Sequence, residues 1–212
     1  VTLDPLDEDS LRHGVAALGR KDRDLARITE RLGMPPLWSR QPGFATLVSI
    51  VLEQQVSLAS ARATFDRLLV AVEELDAAAF LGLTDETLRQ CGFSRQKSRY
   101  CRGIAEAVHD GQLNLQALSG LPDESVRERL VAITGIGPWT ANIYLLMALG
   151  RRDVWPVGDL ALAIAVQRVK RLETRPSTAE MEAVGEAWRP WRSVASRLLW
   201  QSYLNDSKRV PD

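Results

Sequence analysis

No hydrophobic stretch in this sequence approaches the roughly 20 residues that span a bilayer, and its first residues lack the basic, apolar and small-residue order of a secretory signal. Both absences point to a chain that works in the cytoplasm, away from membranes. Cysteine is equally scarce. Cys91 and Cys101 are the only two; they fit no zinc spacing, cannot supply the four thiolates of an iron–sulfur cluster and make no disulfide framework, so they read as packed or free thiols. An excess of either charge is missing as well, because 27 basic and 27 acidic residues cancel. No global field draws a polyanion to such a molecule, and any attraction must be local. Arg95, Lys97, Arg99 and Arg102 form one basic group and Arg189, Arg192 and Arg197 another, although runs of this kind are more often solvated helix faces.

Period-two alternation is nearly absent too. What is present is the helical period, as in Phe65, Leu68, Leu69 and Val72, or Tyr100, Ile104, Ala107 and Val108. Stop and start signals agree with it. Ser94 can cap the helix that follows, Ser177 with Glu180 makes a capping box, and Gly92, Gly111 and Gly150 stand where helices would end. These features predict an all-α fold with helices near 7–19, 22–33, 44–55, 58–74, 84–91, 95–109, 123–132, 138–149, 159–171, 178–188 and 190–205. No repeat, low-complexity tract or long flexible linker divides the chain, so residues 1–212 read as one unit long enough to bury a core.

The most informative stretch runs from Leu130 to Tyr144. An apolar helix meets Gly135-Ile136-Gly137-Pro138, and a second helix begins at once. Gly135 and Gly137 can adopt conformations closed to other residues and allow close backbone approach, Pro138 suits a first helical turn, and Ile136 would pack inward. The free amides of this hairpin and the start of the next helix form a place for an anion such as a phosphate. Read bare, the same pattern is also an ordinary tight turn between helices.

The flanking residues Leu130, Ile133, Thr140 and Ala141, with Gly135 and Gly137, complete a pattern that resembles the DNA-binding element of the helix-hairpin-helix DNA glycosylase superfamily. Three further stretches carry the resemblance: Leu52-Glu-Gln-Gln-Val-Ser57, Gly92-Phe-Ser-Arg-Gln-Lys-Ser-Arg-Tyr100, and Trp188-Arg-Pro-Trp-Arg-Ser193 with Trp200. The resemblance implies two helical lobes with the active site in the cleft between them. One lobe would comprise about 44–149, with the hairpin at 134–138, and the other 1–43 with 150–212. It also implies backbone binding, without sequence readout, through Thr134, Gly135, Ile136, Gly137 and Thr140. A wedge pushed into DNA at the flipped-out site would come from Gln55, with Val56 and Ser57 as neighbours.

Beyond the hairpin, Asp153-Val-Trp-Pro-Val-Gly-Asp159 leads into an apolar helix. Taken alone, Asp159 is a helix N-cap. The resemblance makes it the catalytic carboxylate as well. Cleaving an N-glycosidic bond builds positive charge on the sugar, which a nearby anion stabilises, and the same group can orient water.

Members that also cut the strand place a Lys two residues past the second hairpin Gly; here that residue is Trp139. With no cysteine cluster, the chain is similar to the monofunctional alkylation-repair branch of DNA-3-methyladenine glycosylase II type, in a compact form without an additional N-terminal sheet domain. The implied substrates are bases such as 3-methyladenine, 7-methylguanine or ethenoadenine, flipped from double-stranded DNA by a nucleoid-associated monomer without lyase activity. Trp139, Ile143, Leu160 and Trp200 would line the base pocket, where electron-rich rings suit a cationic base. The chain departs from its relatives at Ile143 and Leu160, which stand where aromatics occur, and at Gly158, which replaces a second Asp. No cofactor is implied beyond a structural Na+ or K+ at the carbonyls of Thr134 and Ile136. The rival readings are a non-catalytic helix-hairpin-helix DNA-binding module and a glycosylase for another damaged base.

Overall fold

The computed structural model describes residues 5–207 and is all helical, with no strand among the described residues. In chain order the helices are α1 (Glu8–Lys21), α2 (Arg23–Leu32), α3 (Phe44–Glu53), α4 (Leu58–Ala71), α5 (Ala77–Gly82), α6 (Asp85–Cys91), α7 (Arg95–His109), α8 (Asp123–Val131), α9 (Pro138–Ile143), α10 (Leu160–Lys170), α11 (Thr178–Glu186) and α12 (Arg192–Ser207). They form two compact units: Arg40–Leu149, and the segment up to Ser39 together with Gly150 onward. None is long and apolar enough to cross a membrane.

The caps read from the sequence are made. Ser94 accepts a hydrogen bond from Lys97 N at the start of α7, Ser177 and Glu180 form both halves of a capping box at α11, and Gly92 ends α6 in the left-handed conformation. Four features were not predicted. The short α5 is capped by Asp76, and α4 stops at Ala71 because Val72 turns extended. A 3₁₀ turn occupies Gln116–Gly120. The helix expected over 138–149 continues past Ile143 as a π-turn at Tyr144–Ala148, a local widening that periodicity does not signal.

In the 40–149 unit, α3 buries nearly its whole surface through Phe44, Leu47, Val48, Ile50, Val51 and Leu52, as a helix apolar on all sides must. Phe80 stacks edgewise on Phe44, with ring centroids 5.7 Å apart. Cys91 and Cys101 are free and buried, and burial pushes the Cys101 thiol up to about 12.

In the other unit, α12 packs on α1, α2 and α10. Asp22 joins three of its elements. Its carboxylate caps α2, accepts from Lys170 Nζ of α10 at 2.7 Å and accepts from the indole N–H of Trp188 at 2.8 Å. Trp188 is therefore core, packed edgewise on Trp155 at 5.3 Å. The basic group Arg189, Arg192 and Arg197 is not an exposed patch. Arg189 and Arg192 pair with Asp153 and Glu186. Arg197 is buried, donating to the carbonyls of Leu37 and Ser193.

Candidate functional site

Each unit carries one part of the predicted constellation. In the unit that contains residues 150–207, Asp159 is the N-cap of α10, and its Oδ1 accepts from Leu162 N at 2.8 Å and from Trp200 Nε1 at 3.2 Å. The local chain explains its placement. Gly158 takes φ 91°, a left-handed conformation that favours glycine, and swings the chain from the Trp155–Val157 turn into the helix. Leu160 is 57% exposed immediately beside the carboxylate, whereas Trp200 is buried.

A residue missed by sequence reasoning belongs to this group. Trp38 packs edge-to-face on Trp200, with centroids 6.4 Å apart at 69°. It holds φ 49°, uncommon for a bulky side chain. The preceding carbonyl, that of Leu37, accepts from Arg197 Nε at 2.8 Å. Burial lowers this guanidinium to about 10. An isolated Trp in a proline-containing segment gave no periodic signal by which to find it.

In the 40–149 unit, the hairpin has the expected tight form, with a different division of labour between its glycines. Gly135 sits at φ 98° against Tyr100, so close that a Cβ there would lie 2.4 Å from the ring. Gly137 is at φ −92°, a conformation open to any residue, and no atom lies within 4 Å of where its Cβ would be. Its bareness leaves an open face. Ile136 packs inward as expected, but its amide is not free, because it donates to Ile133 O at 3.0 Å. Pro138 opens α9, and the first-turn amides of a helix lie outside its own ladder. Thr140 turns inward, and its hydroxyl accepts from Gln54 Nε2 at 2.9 Å. Trp139 is half-buried and Ile143 buried.

The carbonyls of Ile133, Gly135 and Gly137 accept from Ile136 N, Gln54 Nε2 and Ala141 N. Those of Thr134 and Ile136 receive no donor from the chain among the described residues. Two neighbouring carbonyl oxygens of this kind fit a hard monovalent cation. Among the described residues, no group of three His, Cys, Asp or Glu side chains could hold a metal ion.

The turn between α3 and α4 displays Gln55, exposed and left-handed at φ 57°, and Val56, 44% exposed. Ser57 is the N-cap of α4, its hydroxyl accepting from Ser60 N at 3.2 Å. Leu58 follows, 59% exposed, and was not foreseen. Of the first basic group, Arg95 and Arg99 are exposed, while Lys97 and Arg102 donate to main-chain carbonyls of the same unit.

The sequence profile of HhH-GPD superfamily base excision DNA repair proteins matches residues 48–190. DNA-3-methyladenine glycosylase 1 of Schizosaccharomyces pombe is 30% identical over 168 residues, which are 75% of this chain and 72% of that protein. A solved 3-methyladenine DNA glycosylase of the same yeast, in complex with abasic DNA, superposes with a TM-score of 0.85 at 28% identity, covering 90% of this chain and 96% of that one. The DNA-3-methyladenine glycosidase of Bacillus halodurans gives a TM-score of 0.76 at 31% identity, covering 92% and 91%. The chain spans 65%, 55% and 39% of the length of three other curated relatives.

Proposed function

The chain belongs to the HhH-GPD superfamily of base excision DNA repair proteins, and on that premise we propose that it is a monofunctional DNA glycosylase that hydrolyses the N-glycosidic bond of alkylated bases. The observation that carries this reading is Asp159. A carboxylate held at a helix start by Leu162 N and Trp200 Nε1 is a fixed negative charge beside an electron-rich ring. That charge stabilises the oxocarbenium-like sugar as the bond to the base breaks, and it orients the water whose oxygen bonds to the sugar carbon and accepts the proton which that water gives up. The base departs with the bonding electron pair. A purine methylated at N3 or N7, such as 3-methyladenine or 7-methylguanine, already carries positive charge and leaves as a neutral base, so no separate general acid is needed for it.

The substrate is duplex DNA, bound as a monomer in the nucleoid. The Gly135–Gly137 hairpin and the start of α9 grip the sugar-phosphate backbone, and Gln55 with Val56 enters the stack vacated by the flipped base. Trp139, at the hairpin position where strand-cutting members carry Lys, offers no amine for a Schiff base, so excision leaves an intact abasic strand. The carbonyls of Thr134 and Ile136 would hold a monovalent cation, which would supply positive charge for a DNA phosphate.

The test is base release from duplexes each carrying one 3-methyladenine, 7-methylguanine, ethenoadenine or hypoxanthine, by wild type and by Asp159→Asn. Release of an alkylated base by wild type, lowered about 100- to 1,000-fold or more in the variant, is expected. DNA binding by the variant should be intact or tighter. Undiminished release by Asp159→Asn would sink the mechanism; binding without release by wild type would favour a non-catalytic DNA-binding module.

A further inference from the structure

The segment Gly92–Tyr100 takes no part in the chemistry above, yet α7 touches both elements that would meet DNA in the 40–149 unit. Lys97 Nζ donates to Leu52 O, one of the last carbonyls of α3, which helix geometry leaves without an intrahelical donor. One turn later, Tyr100 packs on Gly135 of the hairpin. Between these contacts lies Gln54, whose Nε2 donates both to Gly135 O at 3.1 Å and to the buried Thr140 Oγ1 at 2.9 Å. The next residue is the exposed, left-handed Gln55.

A strained non-glycine conformation persists only where its surroundings over-determine it. Gln55 is so fixed: Gln54 is tied to the hairpin on one side, and Ser57 caps α4 on the other. A turn that must work against base stacking needs such an anchor, because a turn held only by its own backbone would yield to the stack. We propose that Gln54 is a positioning residue that locks the Gln55–Val56 turn in register with the backbone-gripping hairpin, with Lys97 holding the adjoining end of α3. Seating of the hairpin and entry of the turn into the duplex are then one movement. This inference rests on the glycosylase reading and concerns the base-flipping step, not bond cleavage.

The experiment uses the full chain as wild type, Gln54→Leu, which keeps bulk and removes the donor, and Lys97→Met, which loosens the same turn from its other side. Single-turnover release of 7-methylguanine is measured from a duplex in which it is paired with cytosine, and from the same strand with an abasic site opposite, where no base pair has to be broken and flipping costs less. Excision of the paired base should fall about tenfold or more in either variant, with release from the abasic-opposed duplex and binding to undamaged duplex within about twofold of wild type. Equal losses on both substrates, or none on either, would overturn the proposal. If wild type releases no 7-methylguanine from either duplex, the glycosylase reading stands or falls by the four-lesion test above, and the flipping role is decided separately by 2-aminopurine fluorescence. Wild type should then unstack the probe on binding and Gln54→Leu should not; equal unstacking by both refutes the inference.

Discussion

Trp200 Nε1 donates to Asp159 Oδ1 across 3.2 Å, so the C-terminal helix holds the carboxylate that caps α10. The same indole is packed by Trp38, which gives the carboxylate a ring-lined surrounding that no stretch of contiguous sequence contains.

Trp200→Phe keeps a ring against Trp38 and removes the donor. One oxygen of Asp159 then keeps Leu162 N as its fixed donor. A lost hydrogen bond to a charged group is worth roughly 1.5–3 kcal/mol, so excision of an alkylated base should slow by about tenfold to a hundredfold, with DNA binding close to wild type. Single-turnover rates alongside a binding titration measure both; an unchanged rate would detach Trp200 from the chemistry.

Gly158→Ala tests the geometry that delivers Asp159. At φ 91° a side chain costs about 1–2 kcal/mol through its left-handed backbone, and no neighbouring atom lies within 4 Å of the added Cβ. A loss of stability of that size in denaturant unfolding is expected. Slower excision should accompany it if the chain relaxes the strain by moving the cap.

The two hairpin glycines should separate cleanly. Gly135→Ala combines a left-handed backbone with a Cβ driven into Tyr100, and is expected to cost about 3 kcal/mol or more. Gly137→Ala meets neither obstacle and should unfold like wild type, while binding duplex DNA more weakly because, on the proposed binding mode, its open face would meet the phosphate backbone. Thermal unfolding with salt-dependent DNA titrations checks the pair. Wild-type affinity in Gly137→Ala would exclude that face from the interface.

Asp22 predicts an acid limit. Burial pushes its carboxyl up, but the hydrogen bonds from Lys170 and Trp188 outweigh it and hold the folded-state value below the ordinary 3.8. The group therefore contributes stability that is present above 3.8 and lost as pH falls through the folded value. Lys170 is shifted the opposite way. Burial lowers it, yet its bonds to Asp22 and Asp24 raise it above 10.5, so its contribution is present below 10.5 and lost as pH rises through the folded value. In Asp22→Asn, unfolding should lose part of its steepness in acid, with a lower plateau near neutrality. An unaltered acid profile would show that the pair contributes nothing.

How much of this could be read without a structure differs between elements for a physical reason. Helix period, caps and the Gly-Ile-Gly-Pro hairpin are local patterns. Ser94, the Ser177–Glu180 box and the left-handed Gly92 accordingly stand where the sequence places them, and Asp159 was identifiable as a cap from its position alone. The π-turn at Tyr144–Ala148 and the six-residue α5 escaped because neither spans enough residues to carry a period.

Partnership at long range is another matter. Gln54 and Gln55 are chemically identical neighbours, yet the backbone sends one into the hairpin and exposes the other. Arg197 reads as a surface charge in the sequence, but its side chain is buried on main-chain carbonyls. Trp188 and Trp200 belong to the same matched stretch, but one serves the core and the other meets Asp159. Sequence by itself determined the helices, the hairpin and the cap, because those depend on residues a few positions apart. Only tertiary packing decided which side chains meet, because those contacts join residues far apart along the chain and depend on where each helix comes to rest.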